Sequence, residues 1–154
     1  MPAKVSEYMT KKVIRVSPEM GVRQAYFLMR DEEIRHLPVT DTSNTLIGFV
    51  SDRELRRPNW ADESPDIAHE YQVSNDMVVN DIMSRQVIHV NTYDTLTKAV
   101  SVLLDNKISA APVLNKNQDL VGMLSAVDLL SAFQDVLETQ RKNKKTGNHK
   151  GGRT

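Results

Sequence analysis

Two short sets of polar residues occur at matching places in the chain, each following a run of apolar residues. Each set holds a glycine, a serine and an acid at three-residue spacing: Gly122, Ser125 and Asp128, and Gly48, Ser51 and Glu54. Glycine lets a ligand approach the backbone, and a serine at a helix N-terminus offers hydrogen-bond donors to a phosphate. Such a serine can also be an ordinary helix N-cap, a role that is compatible with phosphate binding.

Several other kinds of chemistry are excluded or disfavoured by the composition. The chain has no cysteine, which excludes thiolate nucleophiles, disulfides and cysteine-ligated zinc. The histidines show no metal-ligand spacing with one another: His36, His69, His89 and His149. No nucleophile–base constellation is recognisable, so the sequence predicts a protein that is not an enzyme and holds no metal.

An internal repeat determines where these residues must lie. Shifted by 74 residues, segment 5–55 aligns without a gap on segment 79–129. Identical pairs at this offset include Met9/Met83, Val13/Val87, Ile34/Ile108, Pro38/Pro112, Gly48/Gly122 and Leu55/Leu129. A constant offset of this kind indicates two copies of one structural unit.

Each copy has the pattern of an α/β unit with the order β-α-β-β-α. A short apolar strand is expected at Val13–Val16 and at Val87–Val90. A helix follows, entered at Pro18 in the first copy and capped by Thr95 in the second. Its buried stripe at helical spacing is predicted as Val22, Ala25, Tyr26 and Met29, with Leu96, Ala99, Val100 and Leu103 in the second copy.

The rest of each copy is an apolar strand pair joined by a polar turn, with a final helix. The strands centre on Leu37-Pro38-Val39 and Leu46–Val50, with the turn at 41–44, and a helix begins at Ser51 or Ser125. We predict repeat 1 at 1–57, a connector at 58–76, repeat 2 at 77–140 and a basic, disordered tail at 141–154. Trp60 in the connector is interpreted as a packing anchor.

The two copies resemble the cystathionine-β-synthase (CBS) domain. The resemblance rests on Ile34-Arg35-His36-Leu37-Pro38-Val39 and Gly48-Phe49-Val50-Ser51-Asp52-Arg53-Glu54-Leu55, and on their counterparts at 108–113 and 122–129. It covers about Val5 to Phe133 and is most similar to small stand-alone CBS pairs of the acetoin-utilisation type. It implies two units packed about a pseudo-twofold axis, the Bateman module, which binds adenosyl ligands between the copies.

The resemblance also implies which residues form the nucleotide site. In the family, the aspartate of the Gly-x-x-Ser-x-x-Asp motif accepts hydrogen bonds from the ribose, and the segment before the central proline contacts adenine and phosphate. Its main cleft in this chain is therefore expected to contain Ser17, Ile34, Arg35, His36, Leu37, Ser125 and Asp128. A second, weaker cleft would contain Asn91, Ile108, Ser109, Ala110, Ser51, Arg53 and Glu54. Glu54 departs from the family pattern, which has aspartate there.

The function implied is a non-catalytic sensor that binds AMP, ADP or ATP, reports energy state to a regulated protein and forms a homodimer. Two alternatives stay open at this point. The module could act as a ligand-free dimeric adaptor for a partner protein. It could instead bind nucleic acid through the basic tail, which carries six Lys and Arg residues and no acid.

Charge and hydropathy bear on the partners and the compartment. Residues 1–140 hold 14 basic and 20 acidic residues, which is not the basic surface of a duplex-DNA binder. No apolar run approaches the ~20 residues that span a bilayer, and the first residues do not read as a signal peptide. The sequence therefore predicts a cytoplasmic protein that does not contact a membrane, with nucleic acid a disfavoured partner.

Overall fold

A computed structural model of the chain describes residues 3–56 and 77–151. The helices are α1 (Val5–Tyr8), α2 (Val22–Asp31), α3 (Asp52–Arg56), α4 (Val79–Ile82), α5 (Leu96–Asn106) and α6 (Ala126–Gly151). The strands are β1 (His36–Thr40), β2 (Leu46–Ser51), β3 (Val90–Asn91), β4 (Ala110–Leu114) and β5 (Leu120–Ser125). The predicted connector 58–76, with Trp60, lies outside the described residues.

The two strand pairs repeat each other in register and in irregularity. β1 pairs antiparallel with β2, with Leu37 opposite Val50, and β4 pairs antiparallel with β5. Both pairs shift register one residue before the end of the first strand. In the turns, Asp41 and Asn115 accept backbone N–H groups two and four residues further on, which confirms the predicted polar turns.

The first strand of each copy is shorter than predicted. In the first copy only Val16 pairs, in a parallel bridge with Val39, and in the second copy only Val90–Asn91 pairs with β4. The residues before these points cross to the other copy, because Thr10 bridges Met123 and Ser84 bridges Phe49. Residues 13–15 and 87–89 are therefore not strand, and they connect the bridge to the other copy with the pairing in their own copy.

The helix that follows the first strand is α2 in the first copy and α5 in the second. It differs from the sequence-based prediction in where α2 begins and in which side chains are buried. α2 begins at Val22 after Gly21, not at Pro18, because the carbonyl of Pro18 accepts the N–H of Asn80 and segment 17–20 packs on α4. Thr95 caps α5 as predicted, accepting the N–H of Lys98 at 3.2 Å. The predicted buried stripe is wrong at Tyr26 and Val100, which are 40% and 38% exposed because they face away from the sheet.

Helices α1 and α4 each pack on the copy to which they do not belong in sequence. Val5 of α1 is fully buried in the core of the second copy beside Val90 and Leu124. Val79 and Met83 lie in the core of the first copy. Backbone hydrogen bonds at 2.9 Å from Val5 to Asp94, and at 2.8 Å from Val79 to Met20, join each helix to its host. The two copies are thus interlocked.

The copies pack about a pseudo-twofold axis, which brings equivalent segments together. The start of β1 and the residue before β4 meet there: Nε2 of His36 lies 3.4 Å from Oγ of Ser109. Each of these segments is also tied to the helix after its own strand pair. Asp52 donates its N–H to the carbonyl of Arg35, and Ala126 donates to Ser109, both at 2.8 Å.

The basic tail does not have the structure that the sequence suggested. Disorder is expected from residue 141, but α6 continues to Gly151. The segment 133–146 contains neither proline nor glycine and is rich in Lys, Gln, Glu and Arg, which favour helix. Its residues are exposed, and the hydroxyl of Tyr8 donates to Asp135 at 2.7 Å near the point where α6 leaves the body.

Candidate functional site

A cleft of about 540 Å³ lies between the two copies, within the size range of small-molecule sites. Four segments of the chain line it, of which three contain the residues that the sequence singled out. They are the segment entering β1, the residues before and within β4, and the end of β5 with the start of α6. The lining residues include Ile34, Arg35, His36, Ser109, Ala110, Ser125 and Asp128. Thr10, Lys12 and Ile14 close it from the crossing N-terminal segment.

Ser125 and Asp128 form a reciprocal cap at the N-terminus of α6. Asp128 Oδ2 accepts the N–H of Ser125 at 2.9 Å, and Ser125 Oγ accepts the N–H of Asp128 at 3.2 Å. This is the capping-box arrangement. The second oxygen, Oδ1, lies 3.4 Å from the hydroxyl of Thr10, on the cleft side. The N-cap interpretation of Ser125 is therefore confirmed, and one carboxylate oxygen stays available to a ligand.

At the start of α3, Glu54 makes the carboxylate half of this cap, and the Ser51 hydroxyl donates to the same carboxylate. Glu54 Oε2 accepts the N–H of Ser51 at 2.8 Å and also the Ser51 hydroxyl. The longer side chain therefore reaches the position that an aspartate would occupy. Neither residue lines the 540 Å³ cleft, and neither does Arg53.

Cationic and neutral donors stand across the cleft from Asp128. Lys12 and Arg35 are exposed, whereas His36 is half-buried and stacks on Phe49 with ring centroids 5.6 Å apart. Burial lowers the pKa of His36 below its usual value of 6.5, despite the opposing charges of Asp52 and Glu54. The ring is therefore neutral at pH 7, with Nε2 directed toward Ser109.

The cleft brings together five of the seven residues that the sequence assigned to the main site. Ile34, Arg35, His36, Ser125 and Asp128 line it. Leu37 is fully buried in the core of the first copy. Ser17 is exposed in the turn before α2, where its carbonyl accepts the N–H of Met20. Leu37 and Ser17 do not line this cleft.

The residues assigned to a second cleft are divided between several places. Ser109 and Ala110 line the same cleft as Arg35 and His36, because the pseudo-twofold axis runs between the two segments. Asn91 donates its side-chain amide to Asp94 at 3.3 Å. Ile108 is half-buried, and its N–H donates to the carbonyl of Leu103.

Sequence reasoning missed the cleft residues that come from the crossing N-terminal segment, from the position before Ile34, from β5 and from the start of α6. These are Thr10, Lys12, Ile14, Glu33, Met123, Ala126 and Val127. The repeat held one usable signal, the methionine and glycine that occur at the same places in both copies, since each methionine approaches the glycine of the opposite copy. A Cβ on Gly122 would lie 2.7 Å from Sδ of Met9, so only glycine admits that methionine there.

Two kinds of feature are absent from the part of the chain that the structure describes. Within 3–56 and 77–151, no three His, Cys, Asp or Glu side chains come together as a metal site. Over the same part of the chain, no helix is long and apolar enough to span a bilayer.

The model of the CBS domain matches residues 5–58 and again 79–135. An uncharacterized 17.7 kDa protein of Acidianus ambivalens is 29% identical over 88% of this chain and 76% of its own length. The chain also matches homoserine O-acetyltransferases, for example that of Methanocorpusculum labreanum at 31% identity, but spans only 25% of that enzyme.

Solved structures agree with the family match. CBSX2, a CBS-pair protein of Arabidopsis thaliana, superposes with a TM-score of 0.78 at 26% identity, covering 90% of this chain and 99% of CBSX2. The complex of CBSX2 with AMP gives a TM-score of 0.72 at 27% identity, covering 86% and 97%.

An acetoin utilization protein of Vibrio cholerae gives a TM-score of 0.73 at 27% identity, covering 92% of this chain and 98% of that protein. Both the sequence of each repeat and the arrangement of the two repeats are therefore matched by known CBS pairs. The chain belongs to the CBS-domain family and contains two CBS domains packed as a pair.

Proposed function

We propose that the chain is a non-catalytic regulatory module that binds an adenine nucleotide, AMP, ADP or ATP, in the cleft between its two CBS domains. One observation carries the proposal. The Ser125–Asp128 pair at the start of α6 faces the Arg35–His36 segment across a 540 Å³ cleft. The complex of CBSX2 with AMP supports the choice of ligand.

The groups in the cleft suit the three parts of such a nucleotide. Asp128 Oδ1 accepts hydrogen bonds from ribose hydroxyls in place of its contact with Thr10. The α6 N-terminus, Arg35 and Lys12 favour the negative charge of a phosphate. The backbone of segment 34–36 offers N–H and C=O groups to the edge of adenine. A neutral His36 adds a donor or an acceptor without a second positive charge.

Binding acts on the protein through linkage. A nucleotide that bridges Asp128 and the Arg35–His36 segment contacts both copies, so it favours one packing of the copies over others. In this proposal the module works as a homodimer in the cytoplasm and reports energy state to a regulated protein. Ser51, Arg53 and Glu54 lie outside this cleft, and in this proposal they bind nucleotide weakly or not at all.

One observation favours a second candidate, a ligand-free adaptor that binds a partner protein. Apolar side chains on α5 and α6 are exposed outside the cleft, including Leu104, Leu130 and Phe133. Such a surface is typical of a protein interface. This exposed apolar surface is compatible with the sensor function. In the adaptor it would be the surface that binds the partner protein.

Thermal unfolding with a panel of nucleotides separates the two candidates. A ligand at ~100 times its dissociation constant stabilises the folded state by ~2.7 kcal/mol, which raises the Tm measurably. We expect AMP, ADP or ATP to raise the Tm and GMP and GTP to leave it unchanged. If no adenine nucleotide at millimolar concentration raises the Tm, the sensor is wrong and the adaptor takes its place.

A further inference from the structure

One side chain in the cleft can change its charge near neutral pH. The ionisable residues that line the cleft are Lys12, Glu33, Arg35, His36 and Asp128. Only an imidazole has an ordinary pKa between about 5 and 8, whereas the amine, the guanidinium and the carboxylates keep their charges over that range. A dependence of ligand binding on pH that arises in the cleft therefore comes from His36 or from the ligand itself.

His36 lies beside the place where the cleft favours a phosphate. Its Nε2 lies 3.4 Å from Oγ of Ser109, and the carbonyl of Ser109 accepts the N–H of Ala126 at 2.8 Å. Ala126 is the first residue of α6, so one residue separates the imidazole from the N-terminus of that helix. A helix N-terminus favours an anion, and Arg35 adds a positive charge next to His36. A nucleotide with its ribose on Asp128 therefore brings its phosphate toward the imidazole.

The contacts of His36 are compatible with either charge state of its ring. A serine hydroxyl both donates and accepts hydrogen bonds, so Ser109 is a partner for Nε2 with or without a proton. Phe49 stacks on the ring with centroids 5.6 Å apart, a distance at which an aromatic ring attracts a positive charge. From α3, the charges of Asp52 and Glu54 also favour the protonated ring. Protonation of His36 therefore needs no rearrangement of the cleft.

In the free protein, burial outweighs these favourable contacts. Burial lowers the pKa of His36 below 6.5, and the charge of Arg35 lowers it further, whereas Asp52 and Glu54 oppose the shift without reversing it. The remaining charged groups of the cleft are of both signs: Lys12, Glu33 and Asp128. A bound phosphate adds up to about two negative charges, and an opposite charge within about 4–6 Å favours the charged form of an ionisable group.

We propose that the cleft distinguishes phosphorylated from unphosphorylated adenosine ligands through His36, which takes up one proton when a nucleotide phosphate binds beside it. The proton comes from the solvent and is held on a ring nitrogen, so that the imidazolium pairs with the phosphate by a charge-assisted hydrogen bond. The proton returns to the solvent when the nucleotide leaves. A ligand with a neutral group in place of the phosphate meets the neutral ring. This inference rests on the proposed function and specifies the ligand class that the cleft prefers.

The coupling makes nucleotide affinity depend on pH in one direction. Because the bound phosphate holds the pKa of His36 above its value in the free protein, AMP binds more tightly as the pH falls through the raised value toward the free one. Well above both values the ring is neutral with or without AMP, and the affinity no longer depends on His36. AMP takes up its own second phosphate proton at about pH 6, so measurements above about pH 6.5 report mainly on the protein.

Calorimetric titration with AMP in two buffers of different ionisation enthalpy measures the proton uptake. At about pH 7 the natural chain should take up at least about 0.3 proton per AMP more than His36→Gln does. Its affinity for AMP should rise about three- to tenfold from about pH 8 to 6.5, against less than about twofold in His36→Gln. His89→Gln, an exposed histidine outside the cleft, is the matched control and should behave as the natural chain. Adenosine should bind more weakly and without proton uptake.

An NMR titration of the natural chain gives a second readout that needs no variant. The Cε1–H resonance of His36 should report a higher pKa in the AMP complex than in the free protein, and that of His89 should be unchanged. Equal proton uptake by the natural chain and His36→Gln, equal uptake with adenosine and AMP, or an unchanged pKa of His36 would overturn the inference. AMP that binds without proton uptake leaves the proposed function standing, whereas absence of AMP binding overturns both.

Discussion

At the scale of single residues, two side chains carry most of the account. Asp128 caps α6 with one oxygen and faces the cleft with the other. Glu54 makes the same cap in the first copy without lining that cleft. Comparing the two residues therefore distinguishes helix capping, which both perform, from ligand binding, which is assigned to Asp128 alone.

Replacing Asp128 by alanine tests that distinction. Each hydrogen bond to a charged group contributes about 1.5–3 kcal/mol, so Asp128→Ala should weaken AMP binding by at least about tenfold. Glu54→Ala is the matched control. It should lower the free energy of unfolding by about 1 kcal/mol, as loss of a cap does, and leave AMP affinity within about twofold. Equal losses of affinity in both variants would argue against the assigned cleft.

His36 gives a prediction about pH. Because burial lowers its pKa below 6.5, the unfolded chain takes up a proton more readily than the folded one. The free energy of unfolding should therefore fall as the pH drops through 6.5 toward the lowered pKa, and should be independent of His36 well above 6.5. Urea unfolding between about pH 5 and 7.5 measures this slope.

His36→Gln should flatten that slope, since glutamine does not titrate in this range. His89→Gln replaces an exposed histidine that does not line the cleft and should retain the natural dependence. An unchanged slope in His36→Gln would show that the lowered pKa does not contribute to stability.

At the scale of elements, the crossing helices matter most. Met83 beside α4 packs on Gly48 of β2, and Met9 beside α1 packs on Gly122 of β5. These contacts place Thr10 in the cleft and hold the two copies in one arrangement. Their glycines are needed because the methionine approaches where a side chain would stand.

Gly48→Ala should therefore be destabilising. Its Cβ would overlap the Met83 sulfur and lie 2.9 Å from Cγ of the same side chain, which is itself buried. Overpacking of this kind costs about 1–3 kcal/mol, and urea unfolding measures it. Gly21→Ala is the control, since its Cβ would lie 3.6 Å from the nearest atom, Oε1 of Gln24. A Gly48→Ala protein as stable as Gly21→Ala would mean that Met83 moves aside freely.

The repeat predicted the strand pairs, their turns and the Thr95 cap, because each depends on residues close together in sequence. The resemblance to the CBS domain, and not the repeat, assigned Ile34, Arg35, His36, Ser125 and Asp128 to one site, and all five line the cleft. The repeat could not predict that α1 and α4 exchange hosts, since Val5 and Val79 are equally apolar and fit either core. The resemblance also assigned Ser109 and Ala110 to a separate cleft, although the axis sets Ser109 beside His36.

At the scale of the whole molecule, charge is distributed unevenly. Residues 141–146, which include Arg141, Lys142, Lys144 and Lys145, are exposed on α6, whereas residues 1–140 hold 14 basic and 20 acidic residues. Because residues 141–146 are exposed, they are expected to contribute little to folding.

Removal of residues 141–154 tests the role of this segment. The free energy of unfolding should change by less than about 0.5 kcal/mol, as for exposed surface. Retention on RNA or DNA resins should be equally weak with and without the segment at physiological salt, since we propose no nucleic-acid function. Salt-sensitive retention that disappears with the segment would instead assign nucleic-acid binding to it.

The claim that unites these scales is that one adenine nucleotide binds between the two CBS domains. Calorimetric titration of the natural chain and of Asp128→Ala with AMP, ADP, ATP and GTP tests it most directly. The account predicts saturable binding of at least one adenine nucleotide, about one per chain, absent with GTP and lost in Asp128→Ala. No binding of any adenine nucleotide, or binding unchanged in a folded Asp128→Ala, would contradict it.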